Sequence, residues 1–309
     1  MRINSEDLSF VVQGPVSEHT NLALKSIREN FPKSEIILST WEGSNINGLD
    51  FDQICLSKDP GSVMRDFNNK ILMNVNRQII STQEGMKKAS RKFSIRTRSD
   101  VSFKNSKLLE RLDNSFSFNA YDNEYKFLNS RVLIINFTTV NPNSDLKMPY
   151  HYCDWLFVGC TKDVENIFNI DLCPEEEYAQ WYLEREKPSL NNRESFDRYS
   201  TETYIIMKFI EKYLDIKFEH SFDILNNNIE ISEKVLANNF VLHTMNSVGM
   251  QPLKYKKYFM SMPHSYTINQ WKKLYNKYSN GNLRLSIIDF DLYFYKACAE
   301  FRIFIKKYM

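Results

Sequence analysis

Glycine is scarce in this chain, with 8 residues in 309. That excludes a phosphate cradle built from several closely spaced glycines and leaves each glycine needing a local reason. Cysteine is also sparse. The five residues Cys55, Cys153, Cys160, Cys173 and Cys298 form no CxxC pair and match no zinc-module spacing, so they read as reduced thiols of a cytosolic protein. Charge of one sign is missing too. Forty Lys and Arg against 38 Asp and Glu give a net charge of +2, too little for a protein that binds nucleic acid by neutralising many phosphates. No run approaches the roughly 18 apolar residues of a membrane span. The opening MRINSEDLSF has no apolar core of a secretory signal. The expectation is a cytoplasmic protein.

What is present is an ordinary soluble composition, 42% hydrophobic and 25% charged, with an unusually large aromatic share of 14%. The first half alternates two periodicities. Leu8 to Val12 is a β-forming run broken by Gln13-Gly14-Pro15, and residues 20–31 show helical spacing through Leu22, Leu24 and Ile27. Strand-like runs return at 35–40, 51–56 and 93–98. They end at Trp41-Glu42-Gly43, Asp59-Pro60-Gly61 and Arg98-Ser99-Asp100, and residues 68–89 read as one long helix. Strands alternating with helices of this length predict an α/β fold with a mostly parallel sheet, whose ligands bind at the strand carboxyl ends. Further strands are expected at 131–137 and 238–243, helices at 163–168 and 201–213, and an aromatic helical pattern with a basic end at 289–309. The organisation predicted is a ligand-binding α/β region over 1–145, a second region of the same domain over 146–250, and a C-terminal helical region over 251–309.

Several residues could carry chemistry. Arg96, Arg98 and Asp100 fall on one side of a strand, and two guanidiniums beside a carboxylate suit a diphosphate, with or without a divalent metal. Charges pairing with one another on a surface strand would give the same pattern. Gln13, Gly14 and Pro15 would let backbone approach a ligand closely. Trp41 and Glu42 offer a ring and a carboxylate to a nucleobase or ribose, although a tryptophan is more often simply buried. Asn74, Arg77 and Gln78 share a helical face. Asp154 lies among Tyr152, Trp155, Leu156 and Phe157, where desolvation would favour general-base work; the plain alternative is a helix cap. Glu202 is a second candidate carboxylate, and His243 a candidate metal ligand beside Asp100.

The ordered set VQGPV at 12–16, IILSTWEG at 36–43, Asp59-Pro60-Gly61, NVNRQIIST at 74–82, RTRSD at 96–100, Asp154-Trp155 and the segment with Glu202 and Tyr204 resembles the WavE-like lipopolysaccharide-synthesis family over about residues 8–245. The resemblance implies a GT-A-type glycosyltransferase with a Rossmann-like donor domain and a variable acceptor half. It would move a sugar from a nucleotide-sugar to a growing bacterial surface glycan, free or lipid-linked, with inversion through a carboxylate base. In such enzymes a D-x-D motif after the fourth strand holds Mn or Mg. Here that slot reads Arg98-Ser99-Asp100, which weakens the expectation of a metal. The C-terminal lysines suggest a peripheral contact with the inner face of the plasma membrane. Two other readings stand beside this one. A sugar nucleotidyltransferase would need a Gly-rich loop, for which Gln13-Gly14-Pro15 is too sparse. The other is a non-catalytic nucleotide-sugar-binding scaffold of a polysaccharide assembly complex.

Overall fold

The computed structural model describes residues 2–66, 71–175, 198–254 and 263–285. Their centre is a seven-stranded sheet in the order β10-β8-β9-β6-β1-β2-β3. It comprises β1 (Leu8–Gln13), β2 (Glu35–Trp41), β3 (Gln53–Ser57), β6 (Phe93–Arg98), β8 (Val132–Ile135), β9 (Leu156–Cys160) and β10 (Phe240–His243). β6, β1, β2 and β3 are mutually parallel, β8 and β10 are parallel to each other, and β9 runs antiparallel between β6 and β8. The expected mostly parallel α/β fold is therefore the one observed. β10 completes the same sheet as β1, so residues 1–145 and 146–250 share one sheet.

Both faces of the sheet are covered, as parallel strands require. Odd and even positions of β1 show it: Phe10 and Val12 pack with Leu24 and Ile27 of α1 (Thr20–Asn30) and with Leu108 and Leu112 of α3 (Lys107–Ser115). Val11 faces the other way, onto Val75 and Ile79 of α2 (Val75–Met86). That second layer also takes α4 (Thr161–Phe168), α5 (Thr201–Ile210), α6 (Asn228–Asn239) and α7 (Ile268–Tyr278). Gly85 sets how close α2 comes, since a Cβ there would stand 2.4 Å from Val11 Cγ1. Among the described residues no helix is long and apolar enough to cross a membrane.

Several elements differ from the sequence expectation. The helix expected from residue 68 begins at Val75, because β4 (Val63–Asp66) and β5 (Ile71–Met73) form an antiparallel hairpin ahead of it. Ile71 fits the helical spacing by coincidence; its backbone is used in strand pairing. Leu22, expected on the buried face of α1, is 55% exposed, and Ala23 takes the buried place. Asn238 and Asn239 end α6 rather than starting β10. Two short strands, β7 (Val101–Phe103) and β11 (Met250–Pro252), pair antiparallel and bring the chain after residue 250 back beside the end of β6. The expected helix over 289–309, and with it the suggested membrane contact, lies outside the described residues.

Candidate functional site

The carboxyl ends of β1, β2 and β6 open into a cleft of about 540 Å³. Its floor begins at Gln13-Gly14-Pro15. Gly14 has φ +118°, and an added Cβ would meet Ser99 Oγ at 3.2 Å. The glycine is needed because Ser99 closes on this turn, its N–H donating to Gln13 O at 2.9 Å and its hydroxyl to Pro15 O at 2.8 Å. The strand ends thus become one rigid ledge. Trp41, at the end of β2, is 8% exposed and presents its remaining surface to the cleft.

Two arginine–aspartate pairs form the walls. Arg98 Nε and Nη2 donate to Asp100 Oδ1 and Oδ2 at 2.9 and 2.8 Å, and the guanidinium lies 5.0 Å from the Trp155 ring. Arg77, in the first turn of α2, donates to both oxygens of Asp59 at 2.7 Å, and its Nη1 reaches Ser62 and Asn74 at 2.8 and 2.9 Å. The hydrogen bonds from Arg77 hold the Asp59 carboxyl below its usual range, against the opposing effect of desolvation. Eight expected donor-site residues are therefore brought together: Gln13, Gly14, Pro15, Trp41, Asn74, Arg77, Arg98 and Asp100.

Two expected donor-site residues are not on the cleft. Glu42 is exposed, outside it. Arg96 is fully buried and turns beneath the cleft, donating to Thr82 Oγ1 at 3.1 Å, Gln78 Oε1 at 2.6 Å and Asp154 O. Desolvation pulls its pKa down to about 10, with the Asp154 charge opposing. A guanidinium so enclosed is not placed to meet a diphosphate. Alternate residues of β6 do share a face, but only Arg98, at the strand end, reaches past the sheet.

The candidate catalytic residues also stand back. Asp154 is 3% exposed, and its Oδ2 accepts from Gln78 Nε2 at 2.6 Å, so Gln78 stands between it and the cleft. Its Oδ1 has no hydrogen-bond partner. It caps no helix, since β9 follows it. Glu202 opens α5 after the N-cap Ser200, with 20% of its side chain exposed and its Oε1 3.9 Å from His151 Nε2. His151 in turn lies 2.9 Å from Ser200 Oγ. His243 does not join Asp100. β8 and β9 separate its strand from β6, its Nε2 is buried without a partner, and burial lowers its pKa to about 4, with Arg111 adding to the effect. Among the described residues no group of three or more His, Cys, Asp and Glu side chains is placed to hold a metal ion.

Sequence reading missed four lining residues: Ser17, Glu18, His19 and Lys254. The first three lie in the turn just after Pro15 and could have been included on position alone. Lys254 carried no local signal. It reaches the cleft because β11 pairs with β7 and Leu253 N–H donates to Asp100 O at 2.9 Å. A second polar cavity of about 510 Å³ lies at the far end of α2, lined by Gln83, Asp171 and Lys212. Lys212 there donates to Asn166 and Asn169 carbonyls and ties α5 to α4.

A three-layer α/β protein with a charged cleft at the carboxyl ends of parallel strands belongs to the broad class that binds its ligands at that edge. The WavE lipopolysaccharide synthesis family matches residues 8–307, and the chain belongs to that family. This places it in the synthesis of a cell-surface glycan. The match continues beyond residue 245, where the sequence resemblance stopped, so the C-terminal region is part of the family unit. Curated protein sequences return no match. Among solved structures, the crystal structure of S. aureus TarS is similar at 11% identity and a TM-score of 0.37, covering 78% of this chain. The chain spans 41% of that structure's length.

Proposed function

We propose that the chain is a glycosyltransferase that binds a nucleotide-sugar in the cleft and transfers the sugar to a growing bacterial surface glycan, free or lipid-linked. The observation that carries this reading is the convergence of a closely approachable backbone turn (Gln13 to Pro15), an aromatic surface (Trp41) and a cation held at the strand end (Arg98) in one 540 Å³ space. These are the three things a base, a ribose and a phosphate group ask of a site. Membership of a lipopolysaccharide-synthesis family supports a surface glycan as the acceptor.

For inversion, an acceptor hydroxyl must lose its proton to a nearby base. Of the two candidate carboxylates, Glu202 is the one that solvent reaches, with His151 Nε2 3.9 Å from its Oε1. Asp154 is assigned instead to positioning, since its bond to Gln78 fixes a side chain of the cleft wall. Calorimetry and thermal shift with UDP-, GDP- and CMP-linked sugars, followed by assay of sugar release and transfer, test the reading. Binding with turnover supports it. Binding without hydrolysis or transfer to any surface-glycan acceptor would favour a scaffold, and no binding at all would remove the donor site.

A further inference from the structure

We propose that the diphosphate of the donor is held by the chain's own cations, Arg98 and Lys254, with Asp100 acting as the counter-ion of Arg98 rather than as a metal ligand. This rests on the reading of the cleft as a donor site and specifies how its charge is met.

Among the described residues, the carboxylates on the cleft are Glu18, Asp59 and Asp100. Both oxygens of Asp100 accept from Arg98, and both oxygens of Asp59 accept from Arg77, with Gly61 N–H adding a third bond at 2.9 Å. Glu18 is 86% exposed beside His19. A divalent ion at Asp100 would have to displace a two-pronged guanidinium and then sit next to that same positive charge. The residues of this slot therefore do not fit a metal ion.

They do fit an anion. Arg98 is supported from behind by the Trp155 ring and from the side by Asp100, so its planar head is held in one orientation at the strand end. Lys254 approaches from the opposite chain direction, carried on the backbone bond from Leu253 to Asp100. Arg77 has a different part. Its bonds to Asp59, Ser62 and Asn74 brace the rim of the cleft. Among the described residues of the lining, Arg77, Arg98 and Lys254 are set against Glu18, Asp59 and Asp100. The entering diphosphate then shares Arg98 with Asp100, as two acceptors on one fork.

The test is isothermal calorimetry on the full chain with UDP, GDP and CMP, first after exhaustive EDTA treatment and then with added MnCl₂ or MgCl₂. Expected is binding of UDP or GDP with a Kd that changes less than about threefold between the two conditions. Arg98→Ala should weaken it roughly ten- to hundredfold, and Lys254→Ala by roughly tenfold. Arg98→Asp, which restores an acidic pair, should make binding depend on manganese. If it fails to fold, Arg98→Gln should show the same loss as Arg98→Ala with a normal circular dichroism spectrum. Wild-type binding that vanishes in EDTA and returns with manganese overturns the inference but leaves the donor site standing, as does an unchanged Kd in folded Arg98→Ala. Binding of CMP alone overturns the diphosphate assignment. Failure of every nucleotide, with or without metal, overturns the donor-site reading itself.

Discussion

Arg96 and Arg98 stand two residues apart on one strand, yet they belong to different kinds of environment. The layer beneath the cleft encloses Arg96 with Gln78, Thr82 and Asp154, and with the Phe168 ring 4.9 Å from its guanidinium. The cleft wall leaves 22% of the Arg98 side chain exposed, bound to Asp100. In the lower layer Arg96 is spent on holding other groups. On the wall, charges are held but still reachable. Burial decides between the two uses, because a charge out of water must be compensated inside the protein, whereas one at the surface can exchange partners at small cost.

The largest effect should come from the lower layer. Arg96→Met would leave Asp154 buried without the Arg96 charge, and the Asp154 carbonyl and Gln78 Oε1 without that donor. We expect a loss of about 3–5 kcal/mol in urea unfolding. Arg98→Gln, by contrast, should cost less than about 1 kcal/mol, as expected for a pair partly in water. Equal losses would erase the distinction between the two layers.

Next come the two carboxylates. Glu202→Gln should lower turnover by roughly 10²-fold or more with donor Kd unchanged. Asp154→Asn keeps an acceptor for Gln78 and should lower turnover by less than about tenfold. The reverse ranking in a transfer assay would return the base role to Asp154.

Acid should act mainly through a group far from the cleft. His243 is neutral in the fold, with its pKa lowered from 6.5 to about 4 by burial and Arg111. The unfolded chain takes up a proton there below about pH 6.5 and the folded chain does not until about pH 4, so stability is present above that window and is lost as pH falls through it. The loss should approach about 3 kcal/mol. Comparison of unfolding at pH 7.5 and 4.5 for the wild type and His243→Gln checks this; an identical acid dependence in both would refute it.

A similarly small effect on stability is expected at the rim. Arg77→Ala removes the brace between α2 and the Asp59 turn. It should cost no more than about 1 kcal/mol of stability and weaken nucleotide binding by less than tenfold. A larger loss of affinity than in Arg98→Ala would make Arg77, not Arg98, the principal phosphate ligand.

How much of this was legible beforehand depended on whether the signal was local. Gln13, Trp41, Arg98 and Asp100 follow strand-like runs, and the alternation of strands with helices placed those ends together. The inward turn of Arg96 was not legible, because periodicity says which face a side chain takes and not whether that face is covered at that depth. Asp154 among apolar residues correctly signalled burial, but its partner Gln78 lies 76 residues away. The β4–β5 hairpin was missed because three residues of a short strand satisfy helical spacing as well as strand spacing.

The order of runs and turns along the chain by itself determined a mostly parallel α/β fold and the edge at which its polar residues gather, since side-chain periodicity and Gly/Pro breaks act over a few residues. Only the tertiary structure decided which charges are spent and which are offered. It put Arg96 under α2, closed Arg98 onto Asp100, set two strands between His243 and that pair, and carried Lys254 to the cleft on the pairing of β11 with β7. Burial and ion pairing are properties of what packs from elsewhere in the chain, and no local pattern encodes them.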